Sequence, residues 1–177
     1  MNDSTSAAAP LSRAQLFARL DQLGIKTRTV EHPPLFTVAE SAEVERQLPG
    51  GHTKNLFLKD AKANLYLVVA LSTTAVDLKT LPQTINSQRL SFGKPDLLME
   101  VLGVPPGSVT AFSVINDKAH RVSVVVDAAL MAHDTINCHP LENTATTNIA
   151  RDDLLRFIRA TGHEPRIAAL NRTITRA

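Results

Sequence analysis

The sequence predicts a single α/β domain with a mixed, mostly antiparallel β-sheet and helices at its periphery. A chain of 177 residues is typical of one domain and can bury a substantial core. Two apolar runs, residues 55–59 and 65–71, flank a short polar turn, which predicts an antiparallel hairpin. Segments with helical apolar spacing alternate with further short apolar runs, so helices and strands share the chain.

Capping residues set the limits of the predicted helices. Ser12 begins an apolar-periodic helix that Gly24 ends. Thr37 and Glu40 form a capping-box pattern for a helix that runs to about Gln47. Further helices are predicted from Asp77 until Pro82 or its neighbours end the helix, over residues 96–102 and 128–132, and from Asp152 to Gly162.

Short apolar runs bounded by turn residues predict the remaining strands. They lie at residues 25–30, 89–92, 109–115, 122–127 and 136–138. A polar turn at 116–120 separates two of these runs, so residues 122–127 are expected to pair back on 109–115.

Composition limits the compartment and the partners. The first residues, MNDSTSAAAP, resemble neither a signal peptide nor a membrane span, so residues 1–11 are predicted to be a flexible tail before a domain at 12–177. The single cysteine, Cys138, cannot form an internal disulfide, which favours the reducing cytoplasm. A net charge of +2 favours a small, local contact with any nucleic acid.

The stretch GGHTKNLFLKD at residues 50–60 is the strongest candidate for chemistry. Its glycine pair delivers His52, Thr53, Lys54 and Asn55 to the mouth of a strand, where glycines allow backbone amides to approach a ligand. A cation and an amide donor on a rigid strand can hold a phosphate or a polarised carbonyl. The alternative is an ordinary turn and a strand whose Lys54 faces water.

Other candidate residues lie in loops or at strand ends. Gly107 and Ser108 follow two prolines, where backbone amides can converge on an oxyanion, although an ordinary turn has the same pattern. His139 and Asn143 belong to HPLEN, and the histidine can orient a hydroxyl, transfer a proton or serve a structural role. Arg89 can meet a phosphate or remain solvated.

Several standard sites are absent from the sequence. It has no GxGxxG or Walker motif, no HExxH and no other metal-ligand spacing, so no cofactor and no metal are expected. Ser108 lacks the flanking glycines of a nucleophile elbow. Cys138 and His139 are adjacent on a predicted strand and point to opposite faces, so Cys138 is expected in the core.

An ordered series of motifs resembles a known family. The segments are GHTKNLFLKD, DLKTL, RLSF, LGVPPGSVTAF, NDK, VVVD, HPLENTATT and DLLRFIRATGHEP. In this order they resemble the free-standing aminoacyl-tRNA editing proteins of the YbaK/ProX group, which are related to the editing domain inserted in bacterial prolyl-tRNA synthetases. The resemblance runs from about Ser12 to the C-terminus and is strongest to the PrdX/ProX-ala subfamily. Ala111 departs from the pattern, because many members have proline there.

The resemblance implies a fold, a reaction and a set of residues. It implies the YbaK-type editing fold and hydrolysis of alanine mischarged on the tRNA for proline. Lys54 resembles the signature lysine at the tRNA 3′ end, with Asn55 beside it. Gly107 resembles the glycine whose backbone lies against the aminoacyl carbonyl, His139 the histidine near the terminal adenosine, and Arg89 a basic residue at the acceptor stem.

Hydrolysis of an activated ester requires a positioned water and charge stabilisation more than a side-chain nucleophile. The implied partner is the tRNA acceptor end, with prolyl-tRNA synthetase as a second partner and neither membrane nor DNA. Two alternatives remain: a deacylase of the same family for cysteine or serine, and a non-catalytic module that binds an amino acid or a tRNA end. The joint presence of Lys54, Gly107 and His139 favours the enzyme.

Overall fold

The computed structural model describes residues 9–35 and 38–170. Helices in this part are α1 (Arg13–Gln22), α2 (Val38–Gln47), α3 (Leu81–Ile85), α4 (Pro95–Leu102) and α5 (Arg151–Ala160), with 3₁₀ helices at Ala111–Asn116 and Ala128–Ala132. The strands are β1 (Thr27–Glu31), β2 (Gly51–Asp60), β3 (Leu65–Leu71), β4 (Leu90–Phe92), β5 (Val122–Asp127), β6 (Thr135–Cys138), β7 (Ala145–Ala150) and β8 (Arg166–Ala168).

All these strands form one mixed sheet, as the sequence predicts. Their order is β1-β7-β6-β2-β3-β5-β8, and β4 pairs with β2 outside this path. The pairs β1–β7, β6–β7, β2–β3 and β2–β4 are antiparallel, whereas β2–β6, β3–β5 and β5–β8 are parallel. The long strand β2 therefore contacts β6 at its beginning, β3 along most of its length and β4 at its end.

The predicted β2–β3 hairpin is confirmed, and Asp60 holds its turn together. One Asp60 carboxylate oxygen accepts the backbone N–H groups of Lys62 and Asn64 at 3.0 and 2.9 Å. The other accepts the backbone N–H of Gln88 at 3.2 Å, which attaches the segment before β4. Burial raises the pKa of Asp60, but the hydrogen bonds from Asn64, Gln88 and Lys62 outweigh it and leave the pKa lowered.

The centre of the sheet is covered on both faces. On one face, Leu67 and Val69 pack in a cluster with the edge-to-face rings of Phe112 and Phe157, whose centroids are 5.5 Å apart. On the other face, Val68 and Val125 pack in a cluster with residues of α3, including Leu81. Strands buried on both faces form a rigid support for the residues at their ends.

One predicted strand is wrong. Residues 111–116 form a 3₁₀ helix, because the Thr110 hydroxyl accepts the backbone N–H of Phe112 and caps it. A short buried apolar run is compatible with either structure, so periodicity alone could not decide. As a result β5 pairs with β3 and β8 instead of forming a hairpin with this segment. Ala111 lies fully buried at the start of the 3₁₀ helix.

The helix predictions that fall on described residues are confirmed with one exception. Ser12 and Gln15 form a capping box on α1, and Gly103 ends α4 in the left-handed conformation. Helix α3 begins at Leu81, so Pro82 stands in its first turn and does not end it. Proline is tolerated there because the first-turn N–H groups have no intrahelical partner. Strands β7 and β8 were not predicted.

Some predictions fall outside the described residues. The predicted cap Thr37 lies outside them, as do residues 1–8 of the predicted tail. Of the rest of that segment, Leu11 donates its backbone N–H to the Asn116 side chain at 2.8 Å. Within residues 9–35 and 38–170, no helix combines the length and the apolar character needed to cross a membrane.

Candidate active site

A cavity of about 290 Å³ lies where β2 begins, β6 ends and α2 passes above them. The predicted site residues His52, Thr53, Gly107, His139 and Asn143 line it. Lining residues that the sequence did not indicate are Leu35, Ser41, Val44, Glu45, Ser72, Asn137 and Thr146. Cys138, predicted to be core, also contributes to the wall. Helical spacing predicted α2 but could not show which of its faces covers a cavity.

The parallel pairing of β2 and β6 forms one wall. His52 lies opposite Asn137, and the Thr53 hydroxyl donates to the Asn137 carbonyl at 2.8 Å. A Cβ atom on Gly50, whose φ is +113°, would approach the Thr135 backbone oxygen closer than any real contact. Gly50 therefore allows the start of β2 to pack against β6.

His52 is fixed by its own hydrogen bond. Its Nε2 lies 2.9 Å from the backbone oxygen of Leu48, which can only accept, so Nε2 carries the proton. This bond joins the start of β2 to the segment that follows α2. His52 thus helps to position α2 over the cavity.

His139 presents a hydrogen-bond acceptor. Its Nδ1 donates to the Ala145 backbone oxygen at 3.1 Å, so the neutral ring has a lone pair on Nε2. Burial lowers the pKa of His139; the bond to Ala145 raises it, and the nearby His32 lowers it further. The net lowering favours the neutral ring at pH 7, and Nε2 can accept a proton or a hydroxyl hydrogen bond.

His32 supports this wall, although the sequence did not single it out. Its Nδ1 donates to the Pro33 oxygen at 2.8 Å, so Nε2 accepts the hydroxyl of Thr146 at 2.8 Å. Its ring centroid lies 6.4 Å from that of His139. Thr146 lines the cavity from β7, a strand that was not predicted.

The loop from His139 to Asn143 brings Asn143 to Gly107. A Cβ atom built on Gly107 would lie 3.9 Å from the Asn143 amide nitrogen, an ordinary contact. Gly107 has φ +93°, which disfavours any side chain there. Leu141, inside the loop, is buried with φ +69°, a strained conformation that the surrounding structure must hold. Arg13 is 3.6 Å from Glu142 and attaches the loop to α1.

Lys54 and Asn55 follow the lining residue Thr53 directly but do not line the cavity themselves. In the hairpin, Lys54 pairs with Ala70 and Asn55 pairs with Val69. Both side chains are partly buried, and within the described residues the side-chain amide oxygen of Asn55 has no hydrogen-bond partner. Consecutive strand residues are about 3.3 Å apart, so their backbones lie about 3 and 7 Å along β2 from that of Thr53.

Arg89 and Ser108 lie apart from the cavity. Arg89 is exposed just before β4, which pairs with the far end of β2 at Asp60. From Thr53 to Asp60 the strand advances by about 23 Å at 3.3 Å per residue. The Ser108 side chain is buried, with 5% of its surface exposed, and does not reach the cavity.

Cys138 is buried, as predicted. Burial raises the pKa of its thiol to about 12, although a hydrogen bond from Thr53 acts in the other direction. The thiol therefore stays protonated and is a poor nucleophile. Residues 9–35 and 38–170 also contain no group of three or more His, Cys, Asp or Glu side chains that could hold a metal ion.

Comparison with known proteins identifies the family. Residues 32–157 match the model of the aminoacyl-tRNA editing domain. The chain belongs to this family. It is accordingly a hydrolase of the aminoacyl-tRNA ester bond, and the cavity, which has polar lining groups and no activated nucleophile, is its candidate active site.

Individual relatives match along most of their length. The prolyl-tRNA editing protein ProX of Acetoanaerobium sticklandii is 37% identical over 86% of this chain and 93% of its own. The prolyl-tRNA synthetase associated domain-containing protein 1 of Mus musculus is 38% identical over 86% and 93%. A solved structure of a candidate trans-editing enzyme for prolyl-tRNA synthetase has a TM-score of 0.67 at 20% identity, covering 95% and 99%. That structure supports the fold.

Proposed function

We propose that this protein is a trans-editing deacylase that hydrolyses alanyl-tRNA for proline. The observation that carries the proposal is the small cavity where Gly107 and Asn143 meet a neutral His139, with no activated nucleophile beside them. Its volume of about 290 Å³ is at the low end of small-molecule sites. This size suits an aminoacyl group and its ribose. The editing proteins named for prolyl-tRNA among the relatives support the choice of tRNA.

In the proposed complex the tRNA 3′ end enters beside β2. Lys54 pairs with a backbone phosphate near the terminal adenosine, and Asn55 lies next to it on β2. His139 accepts a hydrogen bond at Nε2 from the ribose hydroxyl next to the ester. That hydroxyl orients the attacking water.

The ester carbonyl lies against the backbone at Gly107. Attack by water forms a tetrahedral intermediate, which collapses to free amino acid and the tRNA hydroxyl. A backbone approach of this kind admits a methyl group and excludes a proline ring by steric clash. A steric clash can discriminate steeply between two substrates. One extra methylene in an apolar pocket, by contrast, changes kcat/KM by only about 10- to 200-fold.

A deacylation panel tests the function. The tRNA for proline is charged with alanine, proline, cysteine or serine, and loss of each ester is followed with purified protein. We expect rapid loss of alanine and negligible loss of proline. Faster loss of cysteine or serine would reassign the substrate, and comparable loss of alanine and proline would exclude editing. Loss of no ester would favour a binding module.

The proposed reaction takes place in the cytoplasm, in keeping with the single cysteine, Cys138. Its macromolecular partner is the tRNA acceptor end, and prolyl-tRNA synthetase is the proposed second partner. A pull-down of this synthetase by the editing protein, with and without tRNA, separates direct docking from contact through the nucleic acid.

A further inference from the structure

Helix α2 presents one face to the cavity. Ser41, Val44 and Glu45 are its lining residues, at the i, i+3 and i+4 spacing of a single helical face. Val44 is buried and anchors the helix, whereas the Glu45 side chain is exposed and reaches the cavity rim. The helix thus places one carboxylate where a ligand enters.

Glu45 is the single acidic side chain among the described residues that line the cavity, and neither lysine nor arginine is among them. Two other polar groups there already have partners: His52 donates to Leu48, and Thr53 donates to Asn137. No described residue forms a hydrogen bond or ion pair with the Glu45 carboxylate. The cavity therefore offers a ligand one unpaired negative charge.

We infer that Glu45 binds the α-ammonium group of the aminoacyl ester. The inference rests on the proposed function, because an aminoacyl ester carries this cation one carbon from the bond that is hydrolysed. A charge-assisted hydrogen bond between ammonium and carboxylate is stronger than a neutral one. Because Glu45 is exposed at the cavity rim, solvent screens part of this attraction, so the expected effect is moderate.

The contact between the Glu45 carboxylate and the α-ammonium group lets the site select aminoacyl esters over other esters of the same size. An α-hydroxyacyl ester has the same carbon skeleton as the alanyl ester but no positive charge. Glu45 should therefore favour the alanyl ester over the lactyl ester, whereas the ribose, the carbonyl and the methyl group are the same in both.

The experiment compares two substrates made from one preparation. Alanyl-tRNA for proline is divided, and in one half the α-amino group is converted to hydroxyl to give lactyl-tRNA. Values of kcat/KM for both are measured with the wild type and with Glu45→Gln, which keeps the shape and removes the charge. For each ester, the kcat/KM of Glu45→Gln is divided by that of the wild type, which cancels the intrinsic reactivity of the ester. Comparison of the two quotients isolates the charge interaction.

Glu43→Gln is the matched control. Glu43 is on the same helix, is bonded to Arg46 and does not line the cavity. The Glu43→Gln substitution changes the net charge of α2 by the same amount as Glu45→Gln, so any general effect of charge on tRNA binding appears in both variants. Thermal midpoints of all three proteins show that each is folded.

We expect Glu45→Gln to lower kcat/KM for alanyl-tRNA by about tenfold and to leave lactyl-tRNA within about twofold, with Glu43→Gln close to wild type on both. Equal losses on both esters, or a loss on neither, would overturn the inference while leaving the deacylase function in place. If the wild type hydrolyses neither ester, the proposed function fails, and the inference fails with it.

Discussion

At the scale of single residues, Lys54 combines partial burial with a free charge. Its ammonium group forms no hydrogen bond or ion pair with any described residue, so no structural partner accounts for its position. A cation held near a cavity without an internal partner is suited to an anionic ligand. This feature motivates the first prediction.

Lys54→Ala should lower the deacylation rate by about 100-fold or more, the usual cost of losing one electrostatic contact in an active site. The thermal midpoint should stay nearly constant, because no partner is left unpaired. Lys62→Ala, in the exposed hairpin turn, is the control and should retain activity. Wild-type rates in Lys54→Ala would remove this residue from the site.

The lowered pKa of His139 predicts how activity depends on pH. Since Nε2 acts in the neutral form, the rate should be insensitive to this group from pH 7 upward. It should fall only as pH drops below the ordinary histidine range of about 6.5, through the lowered pKa. A pH profile of kcat/KM checks this. His139→Ala should be slow and should lose the acidic limb; an unchanged limb would assign it to another group.

Gly107→Ala separates strain from function. Gly107 has φ +93°, and a Cβ atom there would meet only Asn143, at 3.9 Å, so the change strains the backbone without a clash in the free protein. Gly24 at the end of α1 has φ +70° with nothing within 4 Å of its Cβ position. We expect each alanine to cost about 1 kcal/mol of stability.

Only Gly107→Ala should slow deacylation, because only there does the new methyl group occupy the space proposed for the ester carbonyl. The measurements are urea unfolding and the rate per folded molecule for both variants. Equal deacylation rates per folded molecule in Gly107→Ala and Gly24→Ala would show that Gly107 contributes to the protein through its backbone conformation alone and not through contact with the ester.

At the scale of elements, the turn of the β2–β3 hairpin depends on one buried carboxylate. Asp60 accepts the backbone N–H groups of Lys62, Asn64 and Gln88. Removal of this acceptor leaves donors unpaired next to a buried strand end. The hairpin, and the attachment of β4 to it, should therefore weaken together.

Asp60→Ala should lower the free energy of unfolding by about 2–3 kcal/mol. Asp77→Ala is the control, because the exposed Asp77 side chain accepts one hydrogen bond from the described residues, the backbone N–H of Lys79 at 2.9 Å. Its loss should cost less than about 1 kcal/mol. The pKa of Asp60 is lowered in the folded state, so its contribution is complete above the unfolded pKa and disappears as pH falls through the folded pKa.

Urea unfolding at neutral and acidic pH tests both statements. The difference between the wild type and Asp60→Ala should shrink in acid. A difference that stays constant down to the lowest pH would mean that the charge of Asp60 does not contribute.

At the scale of the whole molecule, the net charge of +2 is too small for a broad nucleic-acid surface. Arg89 is about 23 Å from Thr53 by the length of β2, so it can contact the acceptor stem only outside the cavity. Arg89→Ala should weaken tRNA binding and lower the salt slope by about 1. Hydrolysis of alanyl-adenosine, which lacks the stem, should stay unchanged.

Arg28→Ala is the control for charge. Arg28 is exposed on β1, at the edge of the sheet and three strands from β2 in the sheet order. It should leave binding close to wild type. Equal losses on tRNA and on alanyl-adenosine in Arg89→Ala would show that Arg89 supports the fold rather than the stem.

Local chemistry was sufficient for much of this protein. The α/β class, the β2–β3 hairpin, α1, α4 and the burial of Cys138 follow from alternation, capping and turn residues that act over a few positions. The ordered motifs indicated the editing family, and five of the predicted site residues meet at one cavity.

Contacts between distant segments decided the rest. The run at residues 109–115 was compatible with a strand until Thr110 capped it as a 3₁₀ helix. The pairing of β2 with β6 set the need for Gly50, and the proton position on His139 depends on the Ala145 oxygen. Glu45 gains its place at the cavity only because α2 packs over β2 and β6. Sequence spacing determines the face of a helix, whereas only tertiary packing determines what that face covers.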